Sequence, residues 1–525
     1  MFLQPYSWVR HQARQPPSAV LAAMETQLPW YRDKSIRTLL FPMITIYLTQ
    51  VCTGYDATLT SNLQSFARWK KDMDYPDANH RGLISAIYFM GCLVGSIPAA
   101  YVCDRWGRKA GVALGQVFTV AGALFQGLSE GRNQYMGSRM ILGFGIGFIT
   151  CAGPALLSEL APPRFRGPIV SFFNPVWYLG SIIVAWTCFG TSHMEAMDKW
   201  NWRIPSFLQA LIPLCVLCVV YFLPESPRWL VSKGRIDEAT AVLAKYHGDG
   251  NTDDIAVTRQ VAEIREAIES AHEGVTWRAL LTQKTNLQRI FIVTIMVLMT
   301  LWCGQNIITY YFSTILSSVG ISGTTQQTGI NGGLNIANFI SSIIGAFLTD
   351  RMGRRPLWML SYISMIIIFV PFIALSAVYQ EKGNQSAGYG VIVCLFLFDI
   401  MYNVACNPLL YSYTTEIMPF YMRSKGLALK NVIGQVALII NVYVNPIAMQ
   451  AITWKYYIVF LVFNVGWLFL IWMFFPETKG YTLEELSSIF DDDASTVILV
   501  GEKALGEEEN TTKGLAEKTA YVGLV

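Results

Sequence analysis

Asp104-Arg105-Trp106-Gly107-Arg108-Lys109 returns in the second half of the chain as Asp350-Arg351-Met352-Gly353-Arg354-Arg355. Ser158-Glu159, with Arg166 seven positions beyond the Glu, returns as Thr415-Glu416 with Arg423 seven positions beyond. Pro224-Glu225-Ser226-Pro227-Arg228 returns as Pro476-Glu477-Thr478-Lys479-Gly480. Nearly everything between these charged elements is hydrophobic. A signature written twice in an apolar chain predicts two pseudo-symmetric halves in a membrane, with a ligand site between them.

Composition agrees. The 525 residues are 53% hydrophobic and 14% charged, against roughly 25% charged in an average soluble domain. The mean hydropathy is +0.37. A net charge of +3, with no basic block interleaved with aromatics, gives no basis for nucleic-acid binding. The ten cysteines lie in apolar stretches without metal-ligand spacing, so neither a metal nor another cofactor is expected. Cys215 and Cys218 form a CxxC, but inside LIPLCVLCVVYF they read as small hydrophobes.

Apolar segments near the length that crosses a bilayer core recur twelve times, at about 39–62, 83–103, 111–129, 134–157, 168–190, 205–223, 289–317, 328–349, 356–378, 388–412, 425–448 and 455–475. The expected organisation is an all-α membrane protein: a tail (1–38), a six-helix bundle (39–228), a helical linker (229–288), a second six-helix bundle (289–480) and a tail (481–525). The last tail is acidic without apolar periodicity and is expected to be disordered. No cleavable leader is expected. Trp30-Tyr31 and Trp454 mark membrane interfaces, and the bias of Lys and Arg among the loops places both termini and all three signatures in the cytosol. IDEATAVLAKYH and VAEIREAIESAHE read as linker helices. Asn384-Gln385-Ser386 is a glycosylation triplet on an expected outer loop.

The repeated charges have two readings. They mark topology, or they form a latch in which carboxylates and guanidiniums at one depth pair between the bundles in one state and separate in the other. Its expected members are Asp104, Arg105, Arg108, Glu159, Arg166, Glu225 and Arg228 in the first half. Asp350, Arg351, Arg354, Glu416, Arg423 and Glu477 are their counterparts in the second. Asp56 and Arg139 lie inside spans rather than at their ends, at similar depth. A lone charge at mid-bilayer costs at least about 2.5–3.5 kcal/mol, so the two are expected to pair, as a proton carrier or as a static structural pair.

Together these residues resemble the sugar porter family of the major facilitator superfamily, over about residues 39 to 487. Pro224 to Leu230, and Pro476 to Gly480 with Leu483-Glu484-Glu485, carry that resemblance most specifically. Gly304-Gln305-Asn306 before Tyr310-Tyr311, and Tyr443-Val444-Asn445-Pro446-Ile447 before Trp454-Lys455-Tyr456-Tyr457, are similar to the fungal lactose-permease and cellodextrin-transporter branch. The resemblance implies two six-helix bundles rocking around a central sugar site.

It also implies, by counting from the anchors, the sugar contacts Asn174, Gln305, Asn306, Asn338, Tyr411 and Gln435. Asn174 stands where glucose carriers usually have Gln, Thr300-Leu301 where the family has Gln-Gln, Tyr411 where it has Trp, and Gly434 beside Gln435. Each change removes bulk, which implies a ligand larger or less polar than a hexose, a disaccharide first. Carboxamides suit hydroxyls that both donate and accept, and an aromatic face suits a sugar ring. Each Asn or Gln alone also suits an interhelical hydrogen bond.

The expected function is secondary active transport of a sugar or similar polyhydroxylated molecule, coupled to protons, by a monomer in the cell membrane. The rivals are a facilitative carrier, an exporter of secondary metabolites, and a sugar sensor. No enzyme pattern is present, since the five His all fall in expected tails or loops.

Overall fold

The computed structural model describes residues 34–162, 165–248, 250–272, 284–418 and 423–479. Both expected tails beyond those limits, with Trp30-Tyr31, lie outside the described residues, as do the side chains of Asp350, Tyr411 and Arg423.

Among the described residues, twelve long helical segments follow one another. In the first half they are α1 (Lys34–Leu63), α2 (Ala78–Trp106), α3 (Arg108–Leu128), α4 (Arg132–Leu160), α5 (Arg166–Thr191) and α6 (Trp200–Val220). In the second they are α7 (Asn286–Ser318), α8 (Thr324–Met352), α9 (Arg354–Lys382), α10 (Gln385–Ile417), α11 (Arg423–Ile452) and α12 (Tyr456–Phe474). All but α1 belong to stretches long and apolar enough to cross a bilayer. In α1, Thr45, Thr49, Gln50, Thr53 and Asp56 dilute the apolar run, because much of this helix faces the protein interior rather than lipid. The lipid-facing surface is apolar instead, with Ile97, Phe347, Ile367 and Trp472 exposed.

Within the halves, α2 packs on α4, α3 on α4, α1 on α5, α8 on α10 and α9 on α10. The halves join through α2 against α11 and α5 against α8. Small residues permit this closeness. A Cβ on Gly54 of α1 would stand 1.9 Å from the Trp177 carbonyl oxygen, and one on Gly180 of α5 would stand 2.0 Å from that of Val51. Between them the two backbones touch, so α1 and α5 are fixed side by side.

Among the described residues, three of these helices are broken. α5 interrupts between Phe173 and Trp177, at Pro175, and α6 between Leu208 and Leu211. α7 interrupts between Leu301 and Gln305, where Gly304 adopts φ +108°. The linker, short of residues 273–283, contributes Pro227–Ser232, Ile236–His247 and Ile255–His272. They pack beneath the ends of α2 and α4, where Trp229 donates to the Asp104 carbonyl at 3.0 Å. We call this side the linker face.

Candidate functional site

Asp56 is fully buried on α1. Its Oδ1 accepts a 2.6 Å hydrogen bond from Gln209 Nε2, delivered by the break in α6, and its Oδ2 has no partner. Arg139 of α4 is also buried, but its Nη1 donates to the main-chain oxygen of Asp56 at 2.8 Å, and its guanidinium lies 4.4 Å from the centre of the Tyr88 ring. The expected ion pair is therefore corrected. The residues share a depth, yet the cation rests on a carbonyl dipole and an aromatic face while the carboxyl rests on an amide. Arg139 Nε and Asp56 Oδ2 are both left open. Gln209 was missed from sequence because its carboxamide is one of many, and only the kink in α6 turns it inward.

A second polar chain runs down α10 and crosses to the first half. Asn338 Nδ2 donates to Asp399 Oδ2 at 2.8 Å, and Asn403 Nδ2 to the Asp399 carbonyl at 2.9 Å. Tyr178 of α5 donates to Asn403 Oδ1 at 2.7 Å, Asn407 Nδ2 to the same oxygen at 3.2 Å, and Asn174 Nδ2 to the Asn407 carbonyl at 3.1 Å. Asp399, Asn403, Asn407 and Tyr411 recur every fourth residue, one face of a helix. That spacing was visible in DIMYNVACNPLLY, and the sequence reading named only Tyr411 from it.

The break in α7 places two more candidates. Asn306 Nδ2 bonds the Leu301 carbonyl at 2.8 Å, and Asn464 Nδ2 of α12 bonds that of Cys303 at 3.0 Å, satisfying groups the interrupted helix frees. Gln305 Oε1 accepts from Thr309 at 2.7 Å. Gln435 Oε1 is buried without a partner. Of the expected sugar contacts, Asn174 and Asn338 thus join one network, which Gln305 borders at Asp399, while Asn306 serves the break in α7 and Gln435 Oε1 stays unpartnered.

The face opposite the linker is sealed. Asn331 Nδ2 donates to Asn62 Oδ1 at 2.8 Å, Thr324 Oγ1 to the Ser65 carbonyl at 3.1 Å, and Ser192 Oγ meets Thr325 Oγ1 at 2.9 Å. Phe89 and Tyr310 meet edge to face with ring centres 5.4 Å apart. At this end α1 packs on α7, whereas no comparable packing joins α4 to α10 toward the linker face among the described residues.

The repeated charges gather at the linker face in two matching sets. Arg108 Nε stands 3.1 Å from Glu159 Oε2, with the better-aligned bond from Nη2 to Oε1 at 3.3 Å. Arg354 Nη2 meets Glu416 Oε1 at 2.8 Å. Glu225 accepts from the main-chain N–H of Arg108 at 2.9 Å, and Glu477 from those of Arg354 and Arg355 at 2.9 and 3.0 Å. Each carboxylate thus sits at a helix N-terminus, where the dipole favours it. Burial pushes the Glu225 carboxyl up, and the N–H groups of Ser226, Lys109 and Arg108 oppose that rise.

The pairs just named form within each half, where the latch reading expected pairs between the halves; Arg166, Arg228 and Arg354 make further interactions, and the side chains of Asp350 and Arg423 lie outside the described residues. Gly107 (φ +101°) and Gly353 (φ +95°) fold the first turns of α3 and α9 back over their own halves. Asp104 is exposed and 3.9 Å from Arg108, Arg105 donates to Tyr101, Arg166 Nη2 reaches the Ala161 carbonyl at 3.4 Å, Arg228 is half-buried, and the Arg351 carbonyl accepts from Lys479. Asn384 is exposed and caps α10 through Ser386 N–H at 3.0 Å. All ten cysteines are free, and no His, Cys, Asp and Glu cluster fit for a metal occurs among the described residues.

A family model described as "Sugar (and other) transporter" matches residues 43–490. The chain is 30% identical to the low-affinity glucose transporter HXT3 of Saccharomyces cerevisiae, over 84% of this chain and 79% of that one. It is 28% identical to the high-affinity glucose transporter of Kluyveromyces lactis (84% and 83%) and 29% identical to the MFS-type transporter criB of Aspergillus cristatus (84% and 90%). These relatives are transporters, not enzymes. The partially occluded inward-open xylose transporter XylE from E. coli superposes with TM-score 0.72, covering 85% of this chain and 100% of that one at 20% identity. That likeness gives the fold, the twelve-helix major facilitator architecture.

Proposed function

The chain belongs to the sugar (and other) transporter family, and from that premise we propose that it imports a sugar of disaccharide size together with protons, by alternating access. The observation that carries the coupling is Asp56, a buried carboxyl with one oxygen open and a guanidinium within reach but not on it. A proton on Asp56 removes a charge that is costly at that depth, and lets the loaded carrier turn. When the proton leaves, the open Oδ2 offers Arg139 a place, so the cation compensates the new charge for the return. The membrane potential contributes about 2.3 kcal/mol per charge per 100 mV, enough to concentrate a neutral solute.

In this reading the bundles 39–228 and 289–480 rock about a site lined by Asn174, Gln305, Asn306, Asn338, Tyr411 and Gln435. The linker face and both termini are cytosolic, the membrane is that of the cell surface, and Asn384 is glycosylated outside. The within-half charge clusters act as latches that hold the linker ends of each half in one of its two positions. Loss of bulk at Asn174, Thr300-Leu301 and Gly434 supports the larger ligand and the lactose-permease-like branch.

Expression in a transport-deficient yeast, with uptake of glucose, lactose and cellobiose measured at pH 5 and pH 7, tests this. Disaccharide uptake at least fivefold faster at pH 5 is expected. Uptake of none of the three, with movement of a non-sugar metabolite, would favour the second reading that the match to an MFS-type transporter motivates.

A further inference from the structure

Asp399 has no part in the coupling described above, and it occupies an unusual position. It is 1% exposed, midway along α10. Oδ2 is held by Asn338, Oδ1 makes no hydrogen bond, and the Gln305 carboxamide also lies beside the carboxyl. The titratable groups that face it are Tyr178 from α5, Cys303 from α7 and Tyr402 on its own helix. No Lys, Arg or His comes within ion-pair distance among the described residues. Asp56 and Asp399 are thus alike, one acid in each half with one oxygen on a carboxamide and one open. They differ in that Arg139 stands beside Asp56, whereas no cation among the described residues pairs with Asp399.

We propose that Asp399 is a second proton-binding carboxyl, in the C-terminal half, that meets the substrate directly. A bare carboxylate among neutral groups at that depth is costly, so the empty carrier holds Asp399 as the neutral acid. In that form Oδ2 still accepts from Asn338, and the open Oδ1 carries an O–H that donates to a sugar oxygen. The carboxamides around it donate through N–H, and Asp399 adds a hydroxyl donor that exists only while the proton is bound. Substrate therefore favours the protonated acid, and substrate affinity falls as pH rises through its titration. Once the substrate has left, Asp399 equilibrates with solvent on the side then open and gives up its proton only where the pH there lies above its titration. The nature of the ligand rests on the sugar-carrier reading; the protonation itself does not.

The test uses the full-length protein in membranes, treated with dicyclohexylcarbodiimide, which adds to protonated carboxyls in apolar surroundings, and read by peptide mass spectrometry. An adduct at Asp399 is expected at pH 5, reduced at least fivefold at pH 8, absent in Asp399→Asn and kept in Asp399→Glu. Asparagine mimics the neutral acid, so sugar KM in Asp399→Asn should change less than twofold between pH 5 and pH 8, against at least fivefold in the native protein. Lack of an adduct at Asp399 at every pH overturns the proposal, as does an unaltered pH dependence of KM in Asp399→Asn. Failure of the sugar reading would look different: no sugar uptake, with the Asp399 adduct present.

Discussion

Asp56 and Arg139 are neighbours whose charges do not touch, since the guanidinium is on a main-chain oxygen at 2.8 Å and the carboxyl on Gln209 at 2.6 Å. Sequence made both residues conspicuous, because each is an isolated charge in an apolar span. It could not give their partners, which depend on where Tyr88 and the kink of α6 bring a ring and an amide. Asp399 escaped notice although the same rule applied to it, and its companions Asn403 and Asn407 needed the four-residue spacing to be read along α10. Two predictions belong at this scale. Asp56→Asn should abolish accumulation against a gradient while sugar exchange at equal pH stays within about threefold, measured by counterflow; an unimpaired gradient would remove Asp56 from the coupling. Gln209→Leu takes away the donor to Oδ1 and leaves a buried acceptor bare, a cost of about 1–3 kcal/mol. It should lower the thermal unfolding midpoint, and an unchanged midpoint would show the bond to be dispensable.

At the scale of elements, the twelve spans were legible because apolar length is dictated by the bilayer, and the linker helix Ile236–His247 matches its expected segment to the residue. The breaks in α5 and α6 were not, since a helix interruption inside a membrane is set by neighbours that re-satisfy its backbone rather than by a local pattern. The pairing of the charged turns was half legible: the repeat announced that they belong together, but only the backbone of Gly107 and Gly353 decides that they fold onto their own half. A side chain at Gly107 would add left-handed strain and meet Glu225 Oε2 at 2.1 Å. Gly107→Ala should therefore destabilise by about 1–3 kcal/mol and detach the α3 N-terminus, seen as faster amide exchange at Arg108 and Lys109. Glu225→Gln should reproduce that faster exchange without the strain. If amide exchange were unaltered in both, the carboxylate would not be what holds this turn.

For the whole molecule, amide and hydroxyl contacts close the face opposite the linker, and the two halves meet chiefly through α2 with α11 and α5 with α8. Two rigid halves with one sealed end predict that the seal must open once per cycle. Cysteines at Asn62 and Asn331, whose side chains bond at 2.8 Å, should crosslink on mild oxidation and stop uptake at least tenfold, with recovery on reduction. Full transport by the crosslinked protein would exclude rocking at this end. The coupling itself is tested most directly in proteoliposomes, inside neutral and outside acidic, with a sugar from the uptake panel and a pH-sensitive dye within. The native protein is predicted to accumulate sugar above its outside concentration and acidify the lumen as it does so, both abolished by an uncoupler and by Asp56→Asn. Sugar that merely equilibrates, with no proton movement and no effect of the uncoupler, would contradict the account.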